Sequence, residues 1–354
     1  MTGAERFLAA CAGRPTDTTP VWFMRQAGGR LPGYLALRER HSVMDIARTP
    51  ELSAEVSATA ASALGVDGAV LFADIMLLVE AMGVPVELTE TGPIIRAPLR
   101  DRASIDGLRR PDPAADLGFV LEAIRLVRAQ LGDAAAVIGI AGGPFTLAAY
   151  LIEGAPSRDQ IGARALMLRD SRTWHALMDR LADATIDYLR AQEAAGAQAV
   201  QLFDTWAASL TALEYRRFVA PATSRILASV AIPTIHSVTR STAILDEVAA
   251  CGATVVAIDS RQSLAAARGR LGPDRPVQGN LDPALVLVGG APLLRGAREV
   301  VAEGGGIGHI FGLGEAVPRG VEPAVLRDLA GFVHEIASGT SGREGGSIHR
   351  HASA

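Results

Sequence analysis

The chain has 354 residues, 49% of them hydrophobic, and its 34 basic against 38 acidic residues leave a formal net charge of -4. That length buries a core large enough for one big α/β domain or two smaller ones. The slight acidic excess, with no basic cluster interleaved with aromatics, argues against a nucleic-acid partner. No apolar run reaches the roughly 18 residues that a membrane span needs, and residues 1–6 do not form a charged-then-apolar leader, so the expected setting is the cytoplasm with no membrane partner.

In chain order, short apolar runs bounded by Gly, Pro or Asp predict buried parallel strands at residues 21–25, 68–72, 137–140, 199–203, 234–238, 254–258, 276–279 and 308–313. Helical spacing predicts helices over 51–64, 116–131, 171–195, 210–230, 243–250 and 322–336. This alternation points to an α/β protein built as a single (β/α)8 barrel of the TIM type over residues 1–337. A doubly wound sheet is the rival, weakened because no Gly-x-Gly-x-x-Gly follows the first strand. Residues 84–113 predict a small hairpin insertion after the second strand, and the Gly/Ser/His-rich stretch 338–354 predicts a flexible tail.

Two cysteines, Cys11 and Cys251, stand far apart and outside any Cys-x-x-Cys pattern, so both are expected to be free buried thiols. All 34 basic residues are arginine. Without lysine the chain can form no Schiff base, carry no pyridoxal phosphate and build no Walker A loop. No metal or nicotinamide motif is present either, so the expectation is no cofactor and no metal.

Barrel active sites are built at the C-terminal ends of the strands. There the predicted strands place Arg25 and Gln26, Asp74, Gly142 to Pro144, Asp204 and Thr205, His236, Asp259 to Arg261, Asn280 with Asp282, and Glu315. Each has a plainer reading. Asp74 could cap the helix that follows it, Tyr150 could be a core tyrosine with its hydroxyl satisfied, His236 could be a packed strand-end histidine, and the 278–283 turn could simply cap the next helix.

The run Pro20-Val21-Trp22-Phe23-Met24-Arg25-Gln26-Ala27-Gly28, followed by Leu31-Pro32-Gly33-Tyr34, resembles the N-terminal signature of the uroporphyrinogen decarboxylases. Phe72-Ala73-Asp74-Ile75, the stretch from Gly142 through Tyr150 to Gly154, Leu202-Phe203-Asp204-Thr205-Trp206-Ala207 and Gln278-Gly279-Asn280-Leu281-Asp282-Pro283 extend the resemblance over roughly Phe7 to Ile336. The resemblance implies removal of acetate carboxylates from a tetrapyrrole by a cofactor-free homodimer. It also implies roles for particular residues. Asp74 would receive the pyrrole N–H groups and Arg25 would be the essential arginine. Gln26, Ala27, Gly28, Gly29 and Arg30 would form a substrate-binding loop, with Arg38, Tyr150 and Thr205 as further contacts, Thr205 standing in for a serine. For Arg38 a surface salt bridge is the plainer alternative.

Departures from the family pattern fall on the same mouth. Gly29-Arg30 stand where an arginine and an aromatic are usual, and Leu35 stands at a further arginine position. A glycine-rich loop is replaced by Ser237-Val238-Thr239-Arg240-Ser241, and Asp-Trp-Arg by Asp259-Ser260-Arg261. Glu315 occupies the place of a substrate-binding histidine. A carboxylate there would repel a polyanionic substrate. Three readings stay open: a working uroporphyrinogen decarboxylase, a diverged paralogue acting on a less anionic carboxylate or ring, and a non-catalytic binding subunit. A zinc methyltransferase on a similar barrel is disfavoured because Ser237-Val238 follow His236, where a His-x-Cys pair would be needed.

Overall fold

The computed structural model describes residues 1–26, 31–89 and 92–337. Its strands are β1 (Gly68–Val70), β2 (Glu87–Thr89), β3 (Gly92–Ile94), β4 (Ala136–Gly142), β5 (Ala199–Phe203), β6 (Thr234–Ser237), β7 (Val255–Ala257), β8 (Val277–Gln278) and β9 (His309–Ile310). Seven of them form one curled sheet in the order β1-β4-β5-β6-β7-β8-β9, with every neighbouring pair parallel. The remaining two, β2 and β3, pair antiparallel as the hairpin expected after the second predicted strand.

Parallel strands covered on both faces must be apolar on both, and β4, Ala-Val-Ile-Gly-Ile-Ala-Gly, is buried at every position. Its alternate residues divide between two cores, as a period of two requires. Ala136 and Ile138 join Phe7, Trp22, Ala199, Ile235, Val255 and Ile310 inside the curl. Val137 and Ala141 belong to the larger core beneath the surrounding helices. Helix Ser171–Ala194 approaches β4 so closely that a Cβ on Gly139 would stand 2.3 Å from Gln192 Oε1. The side chain of Gln192 bonds both the N–H and the C=O of Ile140, each at 2.9 Å.

The first predicted strand, 21–25, is corrected. Val21 makes only an isolated parallel bridge with Phe311. The chain then turns, with Gln26 N–H donating to Phe23 C=O at 3.1 Å and Arg25 in the left-handed region at φ 61°. An extended strand cannot pass through that conformation. Even so, the segment touches both ends of the sheet: Phe311 N–H donates to Pro20 C=O at 2.8 Å, and Asp67 N–H to Val21 C=O at 2.7 Å. The predicted helix 210–230 is also broken, into Ala212–Phe218 and Ala220–Leu227. Pro221 lacks the N–H that a continuous helix would use. The predicted tail, 338–354, lies outside the described residues. Among the described residues no helix is long and apolar enough to cross a membrane, and both cysteines are buried and free.

One buried carboxylate ties the bottom of the sheet together. Asp67, 2% exposed, accepts Arg6 Nη1 at 2.6 Å on Oδ1, and on Oδ2 it meets Val21 N–H at 2.7 Å and His334 Nε2 at 2.8 Å. It thereby joins the N-terminal helix Gly3–Cys11, the segment before β1 and the last helix, Pro323–Ala337. Asp67→Ala should cost about 3 kcal/mol, because it leaves the buried Val21 N–H without its acceptor and removes the link between Arg6 and His334. Asp106→Ala, which breaks only the exposed pairs to Arg102 and Arg180, should leave stability nearly unchanged. Urea unfolding of the two variants checks this, and equal costs would remove Asp67 from its central place.

Candidate active site

Beyond β1 the backbone leaves the sheet at Phe72, where helix Pro50–Leu64 satisfies it: Ser53 Oγ donates to Phe72 C=O at 2.7 Å, and Phe72 N–H donates to Ser57 Oγ at 2.8 Å. Two residues later Asp74 Oδ1 accepts Met76 N–H at 2.8 Å, at the start of helix Met76–Ala81. Asp74 therefore serves the helix start, and its second oxygen makes no hydrogen bond with a described residue. Burial raises its pKa above the usual carboxylate range, opposed by the Met76 N–H and by the charge of Arg25.

Tyr150 lies on helix Pro144–Glu153 and packs against Trp206 with ring centroids 4.2 Å apart. Its hydroxyl is pushed up to about 12, first by burial and then by the charge of Asp74, with Arg25 opposing. These mutual effects gather Asp74, Arg25 and Tyr150 into one electrostatic neighbourhood. Arg25 is itself exposed. A second tyrosine, Tyr188, fully buried on helix Ser171–Ala194, is raised by burial and again by Asp74; its hydroxyl has no hydrogen-bond partner among the described residues.

The wall bearing Tyr150 is fixed by Asp204 at the end of β5. Its Oδ1 accepts Thr146 N–H at 2.7 Å, and Trp206 N–H donates to Thr146 Oγ1 at 3.2 Å. Gly143 is needed here, because a Cβ would stand 2.3 Å from that of Asp204. Burial pushes Asp204 up to about 6, against the Thr146 and Phe145 amides. Thr205, next in the chain, is exposed beside Trp206.

On the other side of the mouth Asp259 accepts Ser241 N–H at 2.9 Å and Arg261 N–H at 2.8 Å. Asn280 Nδ2 donates to the carbonyls of Asp259 at 2.9 Å and Gln262 at 2.7 Å. Glu315 forms an ion pair with Arg261, so the charge expected to repel an anionic substrate is compensated. A pocket opens beside these loops, lined by Trp22, Met24, Gln201, Thr239, Asp259 and Gln278 among others. Inside it Trp22 Nε1 donates to Gln278 Oε1 at 2.8 Å. Asp74 is not part of that lining; the titratable groups that act on one another gather around Asp74 instead. The two regions join at Met24, whose carbonyl accepts Val317 N–H at 3.0 Å and which directly precedes Arg25.

Two expected residues stand apart from this group. Gln26 is 3% exposed and turned into the scaffold, with Nε2 donating to Gly68 C=O at 3.0 Å and Oε1 accepting Phe23 N–H at 3.2 Å. Arg38 is exposed and bonds His41 C=O at 2.5 Å; its neighbour Tyr34 packs on Phe72 at 5.5 Å. Ala27, Gly28, Gly29 and Arg30 lie outside the described residues. His236 is fully buried, 3.4 Å from Val248 C=O through Nδ1, and burial pushes it down to about 4, which leaves it neutral. Among the described residues no three His, Cys, Asp or Glu side chains gather as metal ligands. Sequence reasoning passed over Trp206, although an aromatic just beyond a predicted strand end was a visible signal. Tyr188 offered none beyond a hydroxyl on a buried helix face.

The Asp204 link gives a pH-dependent test. Its folded value of about 6 exceeds the roughly 3.9 of an unfolded aspartate. Its share of stability is therefore fully present below about pH 4 and is lost as pH rises through about 6. Asp204→Asn should flatten that slope in Tm measured from pH 4 to 7, whereas an unchanged slope would place the titration elsewhere.

A sequence model described as uroporphyrinogen decarboxylase matches residues 2–336 of this chain. A relative of that name from Sorangium cellulosum is 45% identical over 337 residues, covering 94% of this chain and 96% of its own length. Another, from Syntrophotalea carbinolica, is 43% identical, covering 93% and 97%. Among solved structures a methyltransferase from Methanosarcina mazei superposes with a TM-score of 0.80 at 21% identity, covering 95% of this chain and 99% of that one, a likeness of fold. With the model spanning nearly every residue and both relatives matched along almost their full length, the chain belongs to the uroporphyrinogen decarboxylase family.

Proposed function

We propose that this protein is a carboxy-lyase of tetrapyrrole biosynthesis that converts the acetate side chains of uroporphyrinogen to methyl groups, giving coproporphyrinogen. The observation that carries the reading is the convergence of a half-buried, half-satisfied carboxylate, Asp74, with Arg25 and Tyr150 at one end of the parallel sheet. Protonation of a pyrrole ring carbon makes the ring a cationic electron sink. The bond to the carboxylate then breaks, carbon dioxide leaves with the bond's electron pair retained by the ring system, and the methylene carbon takes up a proton as the ring proton is released. Each round consumes one proton.

In this reading Asp74 accepts the pyrrole N–H groups and stabilises the developing cation, most strongly where burial has removed competing water. Arg25, exposed and close enough to act on Asp74 and Tyr150, holds the departing carboxylate or delivers a proton. The substrate supplies its own electron sink, which suits a chain without lysine, and no cofactor is invoked. Pairing of Glu315 with Arg261 favours this reading over the diverged paralogue, since the main electrostatic objection to a polycarboxylate is met. Tyr150 and Thr205 complete the proposed substrate contacts among the described residues; Gln26 and Arg38, which bond the scaffold instead, are not among them.

The reading extends to architecture and setting. The segment 20–22, bonded to Phe311 on one side and Asp67 on the other, would close the curled sheet into a (β/α)8 barrel spanning 1–337. A cytoplasmic homodimer is proposed with it. Exposed Ile161, Leu168 and Leu213, on helices linked by the Arg164–Glu214 pair at 3.6 Å, supply apolar surface for such a contact. Sedimentation across a range of concentrations tests the dimer.

Incubation with uroporphyrinogen under anaerobic conditions, followed by mass spectrometry, should show stepwise loss of carboxylates, and no loss would refute the reaction. Asp74→Asn should lower kcat on the order of 100-fold or more. It should keep or raise Tm at pH 7, because the fold raises the Asp74 pKa and so disfavours its charged form. If ionised Asp74 is the working form, the acid limb of kcat/KM lies above the usual aspartate value near 3.9. A variant as fast as wild type would reduce Asp74 to a helix-start residue.

A further inference from the structure

Among the described residues other than glycine, three hold a positive φ: Arg25 at 61°, Gln160 at 46° and Arg240 at 63°. The two arginines are exposed, and each directly follows a residue that lines the pocket, Met24 in one case and Thr239 in the other. A left-handed backbone crowds a Cβ and suits glycine. Strain of this kind gathers at ligand-binding positions.

Sheet order places the two arginines across the mouth from each other. Val21 is bridged to Phe311 beyond β9, and its carbonyl accepts the N–H of Asp67 just before β1. From that segment β6 is reached through β1, β4 and β5 in one direction and through β9, β8 and β7 in the other. The loop after β6 therefore stands at the far side from Arg25. It is firmly held, since Ser241 N–H donates to Asp259, a carboxylate only 2% exposed that also accepts Arg261 N–H. On the same rim the guanidinium of Arg261 is neutralised by Glu315. The side chain of Arg240 has no hydrogen bond, ion pair or ring contact with any described residue.

We propose that Arg240 is a specificity-determining residue that binds an acetate carboxylate on the side of the ring away from Asp74, and so favours the more highly carboxylated tetrapyrroles. This rests on the substrate class proposed above. The planar guanidinium suits a carboxylate through two parallel hydrogen bonds, and the Ser241–Asp259 bond anchors the backbone that carries it. An exposed cation with no described partner, beside an arginine already paired with Glu315, is left to the ligand.

The test is equilibrium binding, read by fluorescence, of two porphyrins that the enzyme does not turn over: uroporphyrin, which keeps every acetate arm, and coproporphyrin, which has none. Arg240→Gly suits the left-handed backbone and should keep or raise Tm. It should weaken uroporphyrin roughly tenfold, the scale of one lost charge-assisted contact, and coproporphyrin less than about threefold. Arg240→Lys should recover most of the difference and Arg240→Gln none. Arg125→Gln, which breaks only the exposed Glu122 pair, should leave both affinities unchanged. Equal weakening of the two porphyrins, or none, overturns the proposal, as does a wild type that binds neither. If wild type binds both with the expected preference but does not decarboxylate uroporphyrinogen, the reaction reading falls while the Arg240 assignment stands.

Discussion

The structure depends first on the buried carboxylate of Asp67. A curled parallel sheet has two edges, and each exposes backbone groups that must find partners. Asp67 stands at one of them and offers its N–H to Val21 and its oxygens to Val21 N–H, Arg6 and His334. The segment after Pro20 then meets Phe311 on its other side. One anion thereby sets the N-terminal helix, the segment carrying Arg25 and the C-terminal helix against the same strand. A residue at the bottom of the sheet decides how the chain arrives at the top.

Burial then shapes the chemistry at the mouth. Asp74 and Asp204 are both raised by desolvation, yet they serve different ends. Asp204 is sealed against Thr146 and Gly143 and works as a fastener for the helix bearing Tyr150. Asp74 spends one oxygen on Met76 N–H and leaves the other without a described partner, within the field of Arg25. Residue type does not separate these roles. Packing does, since Asp204 is fully buried and Asp74 only partly so.

Much of this architecture was legible in the residue pattern. Strands from β1 onward were readable because parallel strands buried on both faces must be short apolar runs between turn residues, and the β2–β3 hairpin was readable from its short extended pieces. The first strand misled because Val21-Trp22-Phe23 are as apolar as a strand requires. What ends it is a turn at Arg25, held by Gln26 bonding Gly68, 42 positions away. The break at Pro221 was visible and was outweighed by helical spacing on both sides. For the site, Asp74, Arg25 and Tyr150 were named from motif residues, and the structure places them in one neighbourhood.

The sequence by itself determined the alternation of strands and helices, the exclusion of lysine chemistry and the choice of residue types at the strand ends, because these follow from local periodicity and composition. It could not determine which charges are compensated. Glu315 carries a charge that Arg261, 54 positions earlier, compensates, and what sets Arg240 apart from the other arginines is its backbone conformation and its lack of a described side-chain partner. Desolvation and Coulomb attraction depend on distances through space. Those distances exist only once the sheet has curled and brought its loops to a common rim.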